Sequence, residues 1–198
     1  MLKKECGPYL KILAKRPRGS MLIRGSAQKI STMKEIIPRT GRSPKDMDYD
    51  WHLAFDQAFL KKFGWKVRSE GVFCTLDPDQ ARDYTENVGD AYFCFPRGSF
   101  KYVFNNKVFD LWNLLTEYLE DNYLAKNDKG EEVLSDKPAE HMKFLEKIVN
   151  GYKAIGWPAP NSDIEIAIKC SKYWLINADL AYIIMTELGM KDKLPMYW

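Results

Sequence analysis

Isoleucine recurs at positions 164, 166 and 168, interleaved with Asp163, Glu165, Ala167 and Lys169. An alternation of period two predicts a strand over 163–169 with the isoleucines on one face and the two carboxylates on the other. Such a strand must have its apolar face covered, so the chain must build at least one packed layer against it. The loop before it, Gly156-Trp157-Pro158-Ala159-Pro160, is Pro-rich and aromatic. A stiff loop feeding an acidic strand is a way of holding a carboxylate at the lip of a cleft.

The rest of the chain supplies the cover. With 198 residues, 45% hydrophobic and 14% aromatic, it is long and apolar enough to bury a core. No apolar run approaches the roughly 18 residues needed to span a bilayer, and the N-terminal lysines are not followed by the apolar stretch of a secretory signal. A soluble protein without membrane partners is expected. Cys6, Cys74, Cys94 and Cys170 form no CxxC pair, and there are two histidines, so no metal site is expected. Free thiols in a reducing cytoplasm are the corresponding expectation, with Cys74 and Cys94 packing in strands.

The net charge of +3 is unevenly spread. Residues 1–45 hold twelve Lys and Arg against two acids, a surplus of ten, which leaves the remainder at −7. A basic N-terminal third suits an anionic ligand, the phosphates of a nucleotide or of nucleic acid, and it also suits a merely solvated surface.

Local signals divide the chain into a basic helix, a mixed core and a helical tail. A helix over 2–16 is interrupted at Gly7-Pro8, and Ser20–Gly25 reads as a short strand ending in Arg24. Asp50 is expected to cap a helix over 51–63 that stops at Gly64. Gly71–Leu76 reads as a buried strand, and Asp77-Pro78 opens a short helix reaching Tyr84. Residues 91–95 and 100–104 read as paired strands around Pro96-Arg97-Gly98. Helices at 108–124 and 138–154 flank a polar segment, Lys126–Lys137, expected to be a mobile surface loop. Strands at 163–169 and 172–176 and a helix at 178–188 complete a single α+β domain over 1–198. Its parts are a basic helix (1–17), a core (20–176) and a C-terminal helix and tail (177–198).

Three segments in this order, Leu22-Ile23-Arg24-Gly25, Phe73-Cys74-Thr75 with Ala81 and Tyr84, and Asp163-Ile164-Glu165, resemble the ADP-ribosyltransferase-like superfamily of the arginine–Ser/Thr–glutamate type. The resemblance spans about 20–176 and implies a split β-sheet fold with flanking and inserted helices, and NAD as substrate rather than a bound cofactor. It implies transfer of ADP-ribose to a protein or nucleic-acid acceptor, or to water, as in a bacteriophage or bacterial effector. Glu165 would stabilise the cationic ribose that forms as the nicotinamide–ribose bond breaks, and Asp163 would orient the acceptor. Asp163 stands where the family's acid pair has glutamate, and a full Ser-Thr-Ser run is reduced to Thr75. Arg24 and Gly25 would meet the dinucleotide phosphates, Thr75 would hold the strand edge, and Phe73 or Tyr84 would stack on nicotinamide.

Arg39, Arg42 and Lys45, set among Pro38, Gly41 and Pro44, form a second cationic group able to clamp phosphate or to remain a disordered basic loop. His52 could reach a ribose or phosphate, or serve its helix structurally. Each of these residues also has a plain structural reading, Arg24 as a strand-end arginine and Phe73 and Tyr84 as core aromatics. Two competing functions follow. One is a nucleic-acid-binding module contacting phosphates through Lys3, Lys4, Lys11, Lys15, Arg16, Arg18, Arg39 and Arg42; the other is a non-catalytic interaction protein.

Overall fold

A computed structural model describes residues 1–43, 47–85, 89–126, 132–134 and 138–195, and the side chains of all of these except 121–126, 132–134 and 138. The chain runs α1 (Leu2–Glu5), α2 (Gly7–Ala14), β1 (Ile23–Ser26), β2 (Met33–Ile36), α3 (Tyr49–Phe63), α4 (Val67–Glu70), β3 (Val72–Cys74) and α5 (Pro78–Asp83). It continues through β4 (Asp90–Pro96), β5 (Lys101–Phe104), α6 (Leu111–Tyr123), β6 (Leu124–Lys126), β7 (Glu132–Leu134), α7 (Pro138–Gly151), β8 (Ile166–Lys169), β9 (Tyr173–Ile176) and α8 (Ala178–Glu187). The result is an α+β architecture with two small antiparallel sheets, ordered β1-β4-β9-β2 and β3-β8-β5, and a separate β6–β7 ribbon.

Several boundaries follow from local chemistry. The helix break at Cys6 falls beside Gly7-Pro8, with proline in the first turn of α2. Asp77 accepts from the Asp79 and Gln80 amides ahead of Pro78, and Gly64 ends α3 at φ 73°, a left-handed conformation glycine adopts without penalty. The cap of α3 is Asp48, not Asp50: Asp48 accepts from the Asp50 and Trp51 amides, and the helix starts two residues earlier than expected.

The expected hairpin at 91–104 does not exist. β4 pairs with β1 and β9, whereas β5 pairs with β8. The turn around Arg97-Gly98 therefore carries the chain from one sheet to the other, and residues 170–172 do the same between β8 and β9. The sheets also meet directly at the β1 and β3 edges, where Ile23 and Thr75 exchange backbone hydrogen bonds of 2.8 and 2.9 Å. The first strand begins at Ile23 rather than at 20. β2 and α4 lie in stretches where no regular element was expected, and β6 and β7 occupy part of the expected Lys126–Lys137 loop.

One buried cluster lies between the sheets and under α1, α2, α5 and α8, with Tyr9, Leu13, Phe93, Phe95, Ile166 and Ile168 among its members. A second joins α3, α4, α6 and α7 to the opposite face of the three-stranded sheet through Val103 and Ala167. β8 is thus buried on both faces, which changes the meaning of its alternation. The face opposite the isoleucines looks into packed helices, not into solvent.

Candidate functional site

A cleft of about 540 Å³ opens beside the β1 edge, lined by Arg24, Arg39, Arg42, Tyr84 and Tyr173 among others. That size lies within the usual range for small-ligand sites. Gly25 shapes one wall: a Cβ there would sit 2.0 Å from the Ala81 carbonyl oxygen and 2.7 Å from Thr85 Cγ2, so only glycine lets α5 press onto β1 and bring Tyr84 to the cleft. Arg24 donates to the Phe73 carbonyl at 2.6 Å, and Arg42 to the Gly71 carbonyl at 3.2 Å. The Phe73 ring carries two guanidinium groups, Arg68 at 4.5 Å and Arg42 at 5.5 Å from its centroid. Burial, then the neighbouring charges of Arg24 and Arg68, push the Arg42 guanidinium below its ordinary value. Like charges drawn together in a partly desolvated wall are costly without an anion to face them.

Glu165 is set one layer back, beyond Phe73. It immediately precedes β8 and is 4% exposed. Both its oxygens accept from Arg68 Nη1 at 3.1 Å. Burial pushes the Glu165 carboxyl upward against the opposing pull of Arg68, and Asp110 pushes it further in the same direction. Tyr84 and Tyr152 have hydroxyls raised by burial and then by the Glu165 charge. Tyr84 donates to the Phe109 carbonyl at 3.1 Å. The Tyr152 hydroxyl and Arg68 Nε are buried and meet no acceptor among the described residues.

Asp56 on α3 holds the turn that carries Arg68. It is 1% exposed and accepts from the Arg68 amide at 2.7 Å and the Ser69 amide at 3.2 Å. The Ser69 hydroxyl donates to the same carboxylate, and His52 Nε2 lies 3.0 Å from the Ser69 oxygen. His52 is buried there, connected to Glu165 through Ser69, Asp56 and Arg68 and away from the cleft lining. Burial pushes its imidazole below the ordinary value, with Asp56 opposing and Arg68 and Arg42 assisting.

The remaining expected residues fall as follows. Thr75, fully buried, donates to the Ser162 carbonyl at 3.1 Å and accepts from the Asp77 amide at 3.2 Å. It thereby ties the end of β3 to the loop that delivers Glu165. Asp163 is exposed and lies in irregular backbone; a bend at Ile164 and the start of β8 at Ile166 break the alternation that was to give the two acids a common strand face. Arg39 is exposed at the cleft mouth, and Lys45 lies outside the described residues. Trp157 donates to the Ser20 carbonyl at 3.0 Å and packs edge-on to Tyr102 at 5.1 Å, a structural plug. Burial raises the Cys6 and Cys170 thiols to about 12, which removes both as nucleophiles near neutral pH.

Arg68, Asp56 and Tyr152 were not anticipated. Their only sequence signals, a Trp65-x-Val67 pair before Arg68 and aromatic or acidic residues on helical faces, are common to most folded chains. Among the described residues no cluster of His, Cys, Asp or Glu has the arrangement of a metal site, and no helix is long and apolar enough to cross a membrane. Comparison with protein-family models, curated proteins and solved structures found no match.

Proposed function

We propose that this chain binds a dinucleotide of the NAD type in the Arg24–Arg39–Arg42 cleft and breaks its nicotinamide–ribose bond, in the manner of an ADP-ribosyltransferase-like enzyme. The observation that carries the reading is the gathering of these arginines at the β1 edge, next to Arg68 and its buried partner Glu165. A diphosphate supplies the two negative charges such a wall lacks. The order of parts supports it as well: Arg24 on β1, Thr75 at the end of β3 and Glu165 at the start of β8 surround the junction where the two sheets meet.

The chemistry assigns each group a task. Cleavage sends the bonding electron pair to the nicotinamide nitrogen, which leaves neutral, and puts positive charge on the ribose. The Glu165 carboxylate stabilises that charge, and an acceptor hydroxyl, amine or water then adds at the same carbon and loses a proton. Arg24 and Arg42 hold the phosphates, and Tyr84, which lines the cleft, offers its ring to the nicotinamide.

One feature favours a second reading, binding without turnover: both Glu165 oxygens are engaged by Arg68. Titration calorimetry with NAD, together with an assay of released nicotinamide, separates the two. The transferase reading expects Arg42→Gln to weaken binding roughly 10- to 100-fold, the worth of one charge-assisted hydrogen bond, and Glu165→Gln to abolish release while NAD still binds. Binding with no release by the native chain selects the second reading. No binding of NAD at low salt rejects both.

A further inference from the structure

The geometry points to Arg68 as the positioning residue for Glu165, held in place by a buried Asp56–Ser69–His52 buttress. The inference rests on the functional reading above only for its consequence in turnover; its physical content concerns the carboxylate itself.

Glu165 could reach its burial in two ways. It could be neutral, as an isolated buried carboxyl tends to be, or ionised and paired. Only the ionised form can stabilise a developing cation. The groups facing it are Arg68 and Arg42 on the cationic side and Asp110, Tyr84 and Tyr152 on the other. Among the described residues Arg68 hydrogen-bonds its carboxylate, with Nη1 at 3.1 Å from each oxygen.

Arg68 is not free to find this position by chance. It lies on α4, a single helical turn of four residues, too short to be stable by itself. Asp56 fixes the turn from α3, taking the amides of Arg68 and Ser69 and the Ser69 hydroxyl, while His52 adjoins that hydroxyl and Glu70 accepts from the Lys66 amide at the start of the turn. A buried carboxylate spent on one short turn makes sense if the turn carries a side chain whose place matters. The single-nitrogen contact leaves Arg68 Nε, like the Tyr152 hydroxyl, buried with no acceptor among the described residues. Both remain available as donors to an oxygen of solvent or ligand beside Glu165.

The test uses the full chain with carboxyl-13C glutamate, the Glu165 signal being identified by its loss in Glu165→Gln. In Arg68→Met the Glu165 carboxyl must titrate at higher pH than in the native chain, and Arg68→Lys must bring it part of the way back. In parallel, Arg68→Met must lower the rate of nicotinamide release more at acid than at neutral pH, because the acid limb moves upward with the Glu165 titration. Should Arg68→Met fail to fold, Ser69→Ala and Arg68→Lys take its place, and each must move the titration upward. An unmoved Glu165 titration overturns the inference. A moved titration in a protein that never releases nicotinamide leaves Arg68 in its role and removes the enzymatic reading.

Discussion

Gly25→Ala tests how tightly the cleft wall is built. The added Cβ would meet the Ala81 carbonyl oxygen at 2.0 Å and Thr85 Cγ2 at 2.7 Å, where ordinary contact begins at 3.4 Å. Thr85 can turn aside, but Ala81 O is backbone inside α5. Relief requires α5 to withdraw from β1 by about 1.4 Å, the difference between 3.4 and 2.0 Å. Overpacking that forces a backbone shift costs about 1–3 kcal/mol, and a contact with a helix backbone belongs at the upper end. For a chain of this length about 3 kcal/mol corresponds to a fall in Tm of roughly 6–12 °C. Gly7→Ala is the control, since a Cβ there meets nothing within 4 Å and alanine is the better helix former. Both are measured by urea denaturation and thermal melting. A Gly25→Ala protein as stable as the Gly7→Ala control would refute the close α5–β1 approach, and with it the placement of Tyr84.

Three further outcomes follow from single contacts. Lys62 donates to the carbonyls of Val149, Asn150 and Tyr152 at 2.8–2.9 Å, closing the C-terminal end of α7, where a cation is favoured. Lys62→Met should cost about 1–2 kcal/mol, or roughly 2–8 °C in Tm; an unchanged melt would show the contacts to be idle. Thr75→Val keeps the shape but leaves the Asp77 amide without its acceptor, for a loss of about 1–2 kcal/mol in urea denaturation; no loss would mean that the hydroxyl does not tie β3 to the 162 loop. His52 is lowered by folding, so the unfolded chain binds its proton first on acidification. Its contribution is present above the unfolded value near 6.5 and is lost as pH falls through the folded one. Native stability should therefore drop from pH 7 to 5 more steeply than that of His52→Gln, and parallel curves would contradict a buried neutral imidazole.

What could be read before folding was local. Asp77-Pro78, Gly64 and the Gly7-Pro8 break carry their own instructions, because caps and helix stops depend on a few adjacent atoms. Pairing does not. Nothing in Pro96-Arg97-Gly98 distinguishes a hairpin from a passage between sheets, since the partner strands β8 and β9 lie some 70 residues further on. The site divides in the same way. Arg24, Gly25, Arg39, Arg42 and Tyr84 share the cleft, and Phe73 joins its wall to the Glu165 layer. Yet Arg68 comes from a four-residue turn whose stability is tertiary, and Asp163 leaves the strand because the backbone bends at Ile164. The alternation at 163–169 was a true sign of a strand with two unlike faces. It could not say that helices would cover the second face, because those helices lie 12 to 114 residues upstream of Asp163.

That covered face yields one more argument, about whether Glu165 is present for stability at all. Arg68 and Glu165 have side chains 16% and 5% exposed. Removing one member of such a pair strands the other and costs about 3–5 kcal/mol, while replacing both by apolar residues of similar volume is often neutral or stabilising. Partial exposure of Arg68 sets the expectation near the lower figure for Glu165→Leu alone or Arg68→Met alone. If the pair is kept for what the carboxylate does, the double variant Arg68→Met/Glu165→Leu should recover native stability or exceed it, giving a double-mutant coupling of several kcal/mol. A fold that needed the ion pair as an anchor would behave otherwise, with the double variant at least as unstable as the worse single one. Recovery would mean that a more stable apolar alternative was open to this chain at the face of β8, and that the buried charge is retained against it.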